Sequence, residues 1–253
     1  KCGRCLTVCP VGAISADLSA AAETKIDRRL CDSCMACVRE CPSGALRAVG
    51  KEMTVEQVMA VVLRDAPFYR RSGGGVTLSG GEPLAQWRFA REVARECHDR
   101  NISVALETTG VATWDVLASV LEFVDVVLFD IKQMDDAAHR AATGASNALP
   151  LANLRRLAGE GKPLILRLPL VPGYNLDARH LQAAGALAAE LGAREVHLMP
   201  FHQLGSDKYR RFGLGYALAG VPALRDTPAG REQVDWARRI VAEFGVPVVV
   251  GGG

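Results

Sequence analysis

Cysteine spacing constrains the fold of this chain more than any other feature of its sequence. Seven of the eight cysteines lie within the first 41 residues. They form two runs that both end in Cys-Pro: Cys2-x-x-Cys5-x-x-x-Cys9-Pro10 and Cys31-x-x-Cys34-x-x-Cys37-x-x-x-Cys41-Pro42. Such density is typical of disulfide scaffolds or of metal sites. Because a long, cysteine-poor chain follows, we interpret these thiols as metal ligands.

The second run has the spacing of a ferredoxin-type [4Fe–4S] site, in which the fourth cysteine ligates the partner cluster. Similar segments at 11–14 and 43–46 follow the two runs, which indicates an internal repeat. We therefore assign one cluster to Cys9, Cys31, Cys34 and Cys37, and the other to Cys2, Cys5 and Cys41.

The first run lacks its initial cysteine, which we expect three residues before Cys2. Since Lys1 falls inside the motif, we expect the sequence to be a fragment of a longer chain. A tetrahedral zinc site is the alternative, because zinc also takes four thiolates. Zinc leaves the Cys-Pro endings and the repeat unexplained, so we favour iron–sulfur clusters.

Length and charge exclude several classes of function. With 253 residues, 49% of them hydrophobic, the chain can bury a full core, and we predict a small module at 1–50 and a larger domain at 51–253. The 30 basic and 28 acidic residues nearly balance, which argues against nucleic acid as a partner. We find no apolar run long enough to cross a bilayer and no signal-peptide pattern. We therefore expect a cytoplasmic protein without a membrane partner.

Apolar strands alternate with helical patterns after the cysteine module. Thr54 to Gln57 has the pattern of a capping box and opens a helix, and Cys97 lies on the apolar stripe of another helix, so we interpret it as a core thiol. The predicted strands are 76–78, 102–106, 124–129, 164–168, 195–199 and 248–250. Buried strands separated by helices predict an α/β fold with a parallel sheet. An open doubly wound sheet and a barrel both fit this pattern.

Polar residues collect where these strands end. Ser72 to Pro83 carries paired glycines that let a ligand approach the backbone, and Pro83 suits the first position of a helix. The candidate residues at five strand ends are Gly80, Gly81, Glu82, Glu107, Thr108, Asp130, Lys132, Arg167 and His202. Each one alone is explained by a turn, a cap or an ion pair. Because carboxyl ends of parallel strands share one edge, together they predict a shared site.

At this point the chain resembles the glycyl radical enzyme activating enzymes of the radical S-adenosylmethionine (SAM) superfamily. The segments that carry the resemblance are the double cysteine run, Ser72–Pro83, Glu107-Thr-Thr-Gly110, Phe129-Asp-Ile-Lys-Gln-Met134, Arg167 with Val171-Pro-Gly-Tyr-Asn175, and Pro200-Phe-His-Gln-Leu-Gly205 with Lys208-Tyr209. They cover nearly the whole chain in the expected order.

The resemblance implies a partial (β/α)6 barrel with an inserted two-cluster ferredoxin-like module. It implies a further SAM-binding [4Fe–4S] cluster and reductive cleavage of SAM to methionine and a 5′-deoxyadenosyl radical, which takes a hydrogen from a glycine of the partner. That partner is a glycyl radical enzyme with a C-terminal glycine loop, and a flavodoxin or ferredoxin donates the electron. We find no side chain that acts as a catalytic acid, base or nucleophile, since the cofactors carry the chemistry.

The resemblance also implies where SAM is held. Gly80, Gly81 and Glu82 meet its methionine end. The residues assigned to its carboxylate and ribose side are Asp130, Lys132, Arg167 and His202, with Thr108 at the neighbouring strand end. Glu107 and Asp130 flank a monovalent cation beside the carboxylate.

The Cys-x-x-x-Cys-x-x-Cys motif of the SAM-binding cluster does not occur in the 253 residues, and we expect it upstream of Lys1. Two other functions remain open at this stage. One is an iron–sulfur electron carrier whose α/β domain docks a partner. The other is a radical SAM enzyme that acts on a small molecule or a peptide.

Overall fold

A computed structural model describes residues 2–16 and 25–251. The chain divides into two compact units. The first, which we call the cysteine unit, combines Lys1–Glu52 with His202–Val221. The second, the sheet unit, combines Met53–Phe201 with Pro222–Gly253. The segment 202–221, which the sequence analysis placed in the larger domain, is thus grouped with the cysteines.

Eleven α-helices occur in the part of the chain that the structure describes. They are α1 (Arg4–Thr7), α2 (Ala36–Arg39), α3 (Val55–Val62), α4 (Ala66–Ser72), α5 (Trp87–His98), α6 (Trp114–Leu121), α7 (Asp136–Thr143), α8 (Ala148–Ala158), α9 (Ala178–Glu190), α10 (Ser206–Arg211) and α11 (Pro228–Ala242). Short 3-10 helices span Pro83–Gln86 and Gln203–Gly205. The predicted capping box of α3 is confirmed: the Gln57 N–H donates to Thr54 Oγ1, and the Thr54 N–H donates to Gln57 Oε1 at 2.9 Å.

The six predicted strands are confirmed and form one parallel sheet. They are β1 (Gly75–Leu78), β2 (Ser103–Thr108), β3 (Val126–Asp130), β4 (Leu164–Leu170), β5 (Glu195–Pro200) and β6 (Val248–Val250). Their order in the sheet is β1-β2-β3-β4-β5-β6, which is the order along the chain. A doubly wound sheet requires a reversal of this order, so that alternative is excluded for the described strands. With right-handed crossovers, sequential order places the connecting helices on one face of the sheet.

Burial alternates along the four central strands, and the alternation separates a core face from a functional face. Leu106, Val127, Leu166 and Val196 are fully buried, as expected for the face that packs against helices. Each such side chain contributes about 1.5–3 kcal/mol when it is removed from water. The intervening residues are only partly buried, and this half-open face carries most of the polar side chains discussed below.

The cysteine unit has little regular structure. Besides the short helices α1, α2 and α10, an isolated antiparallel bridge joins Ile14 to Ile26. Within 202–221, the Gln203 side-chain amide donates to the carbonyls of Leu218 and Val221, at 3.0 and 2.6 Å. None of the helices in the described residues is long and apolar enough to cross a membrane.

Candidate active site and cluster-binding cysteines

The glycine turn after β1 leaves its backbone open. Gly80 has a φ of 122°, a conformation that only glycine adopts readily. A Cβ built on Gly80 or on Gly81 would meet no atom within 4 Å. Space for a ligand therefore exists beside this backbone. As predicted, Pro83 is the first residue of the helical turn that follows, here a 3-10 helix.

The Glu82 side chain connects the loop after β1 to the end of β2 through hydrogen bonds. Its Oε1 accepts hydrogen bonds from the Thr108 hydroxyl at 2.7 Å and from the Leu84 N–H at 3.2 Å. Its Oε2 accepts from the N–H and the hydroxyl of Thr109, at 2.9 and 2.6 Å. Thr108 Oγ1 in turn accepts from the Gly110 N–H at 2.9 Å. The carboxylate of Glu82 thus positions two loops, in addition to any contact it makes with a ligand.

Four charged side chains from three neighbouring strands and their ends form a second network on the half-open face. The Arg167 guanidinium pairs with the Glu107 carboxylate, and Arg167 Nε lies 3.8 Å from Asp130 Oδ1. Lys132 Nζ donates to Asp130 Oδ2 at 2.7 Å. Asp130 and Arg167 are register partners on β3 and β4, which explains why they meet. Two carboxylates and two cations therefore lie together on this face, with Arg167 in the middle of β4 rather than at its end as expected. Their role in binding a ligand stays a prediction.

The guanidinium of Arg167 forms only some of its possible hydrogen bonds within this network. Its side chain is 12% exposed, and although Nη1 pairs with Glu107, Nε finds no well-directed hydrogen bond among the described residues. A buried donor without a partner costs free energy. Arg167 Nε can therefore donate a hydrogen bond to an acceptor group of a ligand.

Two buried asparagines hold the loops of the site, and the sequence analysis gave them no role. Asn175 Nδ2 donates to the carbonyls of Lys132 and Pro169, at 2.8 and 2.7 Å, and its Oδ1 accepts from the Val171 N–H. Asn153 Nδ2 donates to the carbonyls of Gly110 and Ala112 in the loop after β2, both at 2.8 Å. Asn175 lies in the quoted segment Val171–Asn175, but its hydrogen bond to the Lys132 carbonyl joins positions too distant in sequence for a local signal.

A histidine–glutamate pair on β5 was also missed. His197 Nε2 lies 2.9 Å from Glu195 Oε2, and His197 is the register partner of Arg167 on the half-open face. Its Nδ1 is buried without a partner in the described parts of the chain. The alternating pattern of β5 could have placed His197 on this face.

A cavity of about 300 Å³ lies at the carboxyl ends of β2 and β3. Asp130, Lys132 and His139 contribute to its lining, together with apolar side chains such as Phe129. The imidazole of His139 is held by the Ala145 carbonyl, which lies 2.7 Å from Nδ1. Apolar walls with a few charged groups at the entrance are typical of small-molecule sites.

His202, the remaining candidate, belongs to the cysteine unit. It precedes the 3-10 helix Gln203–Gly205, and its exposed Nδ1 accepts from the Leu204 N–H at 3.4 Å. Its proposed contact with SAM stays a prediction.

The thiols of Cys9, Cys31, Cys34 and Cys37 line one cavity of about 140 Å³. Burial raises the pKa of the Cys37 thiol, and the neighbouring Cys31, Cys34 and Cys9 raise it further. These are the four cysteines that the sequence analysis assigned to a single cluster. Soft thiolates around a shared cavity fit the ligand set of a [4Fe–4S] cluster.

The other three cysteines of the module lie outside this cavity. Cys5 is buried, Cys2 is exposed, and Cys41 Sγ accepts a hydrogen bond from the Leu46 N–H at 3.5 Å. That bond and the nearby Ser43 hydroxyl lower the pKa of Cys41 to about 7, which favours the thiolate that ligates metals. Across residues 2–16 and 25–251, no three His, Cys, Asp or Glu side chains converge tightly enough for a single metal ion.

Cys97 behaves as predicted for a core thiol. It is fully buried, its Sγ lies 3.8 Å from Met59 Sδ, and burial raises its pKa. It is therefore not a ligand candidate.

Comparison with known proteins shows the family. Residues 31–182 match the radical SAM superfamily, and residues 1–45 match the 4Fe-4S dicluster domain. Over 213 residues the chain is 46% identical to an isethionate sulfite-lyase activating enzyme from Nitratidesulfovibrio vulgaris, a match that covers 83% of this chain and 68% of that protein. It is 37% identical over 251 residues to the pyruvate formate-lyase 2-activating enzyme of Escherichia coli, covering 98% and 84% of the two chains.

The chain belongs to the glycyl radical enzyme activating enzymes of the radical SAM superfamily. A solved domain of a pyruvate-formate lyase-activating enzyme from Bacteroides vulgatus has a similar structure, with a TM-score of 0.58 and 26% sequence identity. The similarity covers 71% of this chain and 99% of that domain. The cofactors of this activating enzyme are accordingly [4Fe–4S] clusters and SAM.

Proposed function

We propose that this activating enzyme binds SAM on the half-open face of its sheet and installs a glycyl radical on a partner enzyme. The observation that carries the proposal is the network of Glu107, Asp130, Lys132 and Arg167 on the same sheet whose strand β1 leads into the open Gly80–Gly81 backbone. When bound and reduced, the cofactors supply the 5′-deoxyadenosyl radical that takes a hydrogen from the partner's glycine. The protein contributes orientation and charge.

In this proposal each part of the network has its own task. The backbone of Gly80 and Gly81 meets the amino end of SAM, and Glu82 holds that loop in place through its hydrogen bonds to Thr108 and Thr109. Arg167 Nε, which has no directed hydrogen bond within the network, donates to the SAM carboxylate.

The charges within the network argue for the additional cation. Glu107 and Asp130 already neutralise Arg167 and Lys132, so an incoming carboxylate is repelled by two like charges. A monovalent cation between Glu107 and Asp130 offsets this repulsion and frees both basic side chains for SAM.

The fold and module assignments extend this proposal. We assign the sheet unit to a partial (β/α)6 barrel, in keeping with its sequential strand order. We assign residues 1–50 to an inserted ferredoxin-like module with two clusters, Cys9, Cys31, Cys34 and Cys37 holding one of them. We assign Cys2, Cys5 and Cys41 to the other cluster. The electron donor is a flavodoxin or a ferredoxin.

The degree of identity to the relatives supports a proposal for the partner. Two isethionate sulfite-lyase activating enzymes are 46% and 45% identical to this chain, whereas the pyruvate formate-lyase 2-activating enzyme is 37% identical. We therefore propose a partner of the isethionate sulfite-lyase type, a glycyl radical enzyme that cleaves a carbon–sulfur bond.

The experiment uses the full-length protein with reconstituted clusters. Incubation with SAM, a chemical reductant and either isethionate sulfite-lyase or pyruvate formate-lyase is followed by electron paramagnetic resonance of the glycyl radical. We expect 5′-deoxyadenosine and a radical signal that is larger with isethionate sulfite-lyase. Absence of 5′-deoxyadenosine contradicts the activity, and a larger signal with pyruvate formate-lyase contradicts the partner.

A matched pair of variants tests the SAM site. Lys132→Gln removes a cation that pairs with Asp130 in the network, and Arg140→Gln removes an exposed cation that pairs with Asp136 on α7. Calorimetry should show SAM affinity about tenfold weaker for Lys132→Gln, as for a charged contact worth roughly 1.4 kcal/mol. Arg140→Gln should bind like the unsubstituted protein, and equal losses in both variants would remove Lys132 from the site.

A further inference from the structure

One groove of the cysteine unit is lined by basic side chains. It has a volume of about 530 Å³, and its basic residues are Lys25, Arg28, Arg47, Arg210 and Arg211. No Asp or Glu lines the groove within the described ranges, although Asp207 next to it pairs with Arg210 and Arg211. A concave surface of one charge raises the local concentration of an oppositely charged partner.

The orientation of these basic groups is fixed by the chain itself. Arg28 Nη2 donates to the Arg211 carbonyl at 3.2 Å, and its guanidinium lies 5.9 Å from the ring centre of Phe212. Arg47 Nε donates to the Gly44 carbonyl at 2.8 Å. In the described residues neither Arg28 nor Arg47 forms a salt bridge, so both charges face the groove uncompensated.

The groove adjoins the cavity of the cluster cysteines. Arg28, Arg47 and Val49 line both the groove and the cavity that contains Cys9, Cys31, Cys34 and Cys37. Val49 is 67% exposed, and Met35 at the same cavity is 41% exposed. An apolar centre within a charged rim is typical of protein–protein interfaces.

The distribution of charged residues between the two units also supports an acidic partner for the cysteine unit. The cysteine unit contains 11 Lys and Arg against 7 Asp and Glu, whereas the sheet unit contains 19 against 21. The near-neutral charge of the whole chain therefore conceals one basic unit, and that unit carries the cysteines. Its complement is an acidic surface.

We propose that this basic groove is the docking surface for a small acidic electron-donor protein. The proposal rests on the proposed function, which requires electrons from outside, and it identifies where their carrier binds. Flavodoxins and ferredoxins share the required chemistry, an acidic surface around a redox group. Small interfaces with electrostatic steering suit such transient partners.

The test measures binding of an acidic flavodoxin and, separately, of an acidic ferredoxin to the full-length holoenzyme by calorimetry. We expect one of them to bind, with affinity that falls as salt screens the charges. The double variant Arg47→Gln/Arg211→Gln should weaken this binding about tenfold at low ionic strength. Arg47→Lys/Arg211→Lys, which keeps both charges, should retain most of the affinity.

Arg70→Gln/Arg71→Gln is the matched control, because it removes two adjacent exposed arginines from the last turn of α4 in the sheet unit. The proposal is overturned by equal weakening in this control, by equal weakening in the Lys variant, or by no binding of either donor. Tighter binding of an RNA oligonucleotide than of either donor overturns it as well.

Activation of the partner by a small chemical reductant separates this proposal from the proposed function. Titanium(III) citrate needs no docking surface. Arg210→Gln/Arg211→Gln, which changes the groove and not the cavity of the cluster cysteines, should therefore install the radical as well as the unsubstituted protein. If the chemical reductant also yields no radical with the unsubstituted protein, the proposed function fails. If only the donor-binding results are negative, the docking surface fails alone.

Discussion

The two units of this activating enzyme owe their order to different sources. In the sheet unit the core face of the sheet is filled by fully buried leucines and valines, such as Leu166 and Val196. In the described residues of the cysteine unit, the buried apolar side chains are Cys5, Ala13 and Ile14. Ordering each residue costs roughly 1–2 kcal/mol, which three small groups do not offset. We therefore expect the cysteine unit to depend on bound iron–sulfur clusters for its order, whereas the sheet unit has a core of its own.

Replacing Cys34 and Cys37 by serine should produce the largest effect, because it removes half of the thiols around one cavity. We expect iron content to fall by about four atoms per chain and protease cleavage within 2–52 to accelerate. Radical installation with the protein donor should slow, while SAM affinity stays unchanged. Iron analysis, limited proteolysis and calorimetry measure these outcomes.

Cys97→Ala is the control for that experiment, since Cys97 lies in the core of the sheet unit. It should leave iron content unchanged. If the Cys34/Cys37 variant keeps its iron, or if the sheet unit unfolds with it, the contrast between the two units is wrong.

Arg167→Ala tests the electrostatic part of the sheet unit. The substitution leaves Glu107 and Asp130 without their shared cation, which costs about 3–5 kcal/mol for a buried pair. We expect a lower melting temperature and SAM affinity reduced by more than tenfold. Arg167→Lys keeps the positive charge but loses the planar guanidinium. Compared with Arg167→Ala, it should restore most of the melting temperature but less of the SAM affinity.

Thermal unfolding and calorimetry on both variants provide the measurement. Stability unchanged in Arg167→Ala would show that the network is not a structural element of the sheet unit. SAM affinity unchanged would remove Arg167 from the proposed site.

Asn175→Ala should lower the free energy of unfolding of the sheet unit by about 3 kcal/mol. The side chain of Asn175 is 2% exposed, and its loss leaves three backbone groups without a hydrogen-bond partner. Urea denaturation followed by tryptophan fluorescence is a selective probe, since Trp87, Trp114 and Trp236 all lie in the sheet unit. Asn147→Ala, which removes two hydrogen bonds to backbone carbonyls, should cost less. A larger loss in the Asn147 variant would contradict this order.

The apolar core of the sheet unit also explains which secondary-structure elements could be predicted from the sequence. All six strands were predicted because each combines an apolar run with turn residues at its ends. The charged side chains were expected to meet because parallel strands end at one edge, and their role as a site stays a prediction. Helices α1, α2, α4 and α10 were missed, and α1 and α2 are single turns within the cysteine runs. Helix α4 has no apolar stripe and exposes Phe68, and α10 is almost entirely polar.

The contacts between distant positions could not be predicted. Nothing local in the sequence indicates that Glu82 accepts from Thr109, that Asn175 holds the Lys132 carbonyl, or that 202–221 joins the cysteine unit. These depend on which loops the fold brings together. In contrast, candidate ligand cysteines could be assigned from spacing alone, because a cluster imposes a fixed geometry on nearby residues. Their role as ligands stays a prediction.

Acid should weaken the sheet unit through His180, which is the smallest effect we predict. His180 is 2% exposed on α9, and its Nδ1 accepts from the Met134 N–H at 3.2 Å. Burial lowers its pKa from 6.5 to about 4, against a smaller opposing effect of the Asp177 carboxylate. Between these two values the unfolded chain binds a proton that the folded chain does not. The contribution of His180 to the free energy of unfolding is therefore fully present above pH 6.5. It is lost as the pH decreases toward 4, and the loss is about 2 kcal/mol at pH 5.

His180→Gln removes the titrating group while keeping an acceptor for the Met134 N–H, so it should flatten the dependence of stability on pH between 6.5 and 4. His98→Gln is the matched control, because His98 is exposed at the end of α5 and stacks edge-on against Phe123. Urea denaturation at pH 7.5 and pH 5, followed by tryptophan fluorescence, reports on the sheet unit in both variants. Loss of the iron–sulfur clusters in acid would affect both variants equally, so the test is the difference in unfolding free energy between the two variants. Equal acid sensitivity would show that carboxylates, rather than this histidine, set the acid limit of the sheet unit.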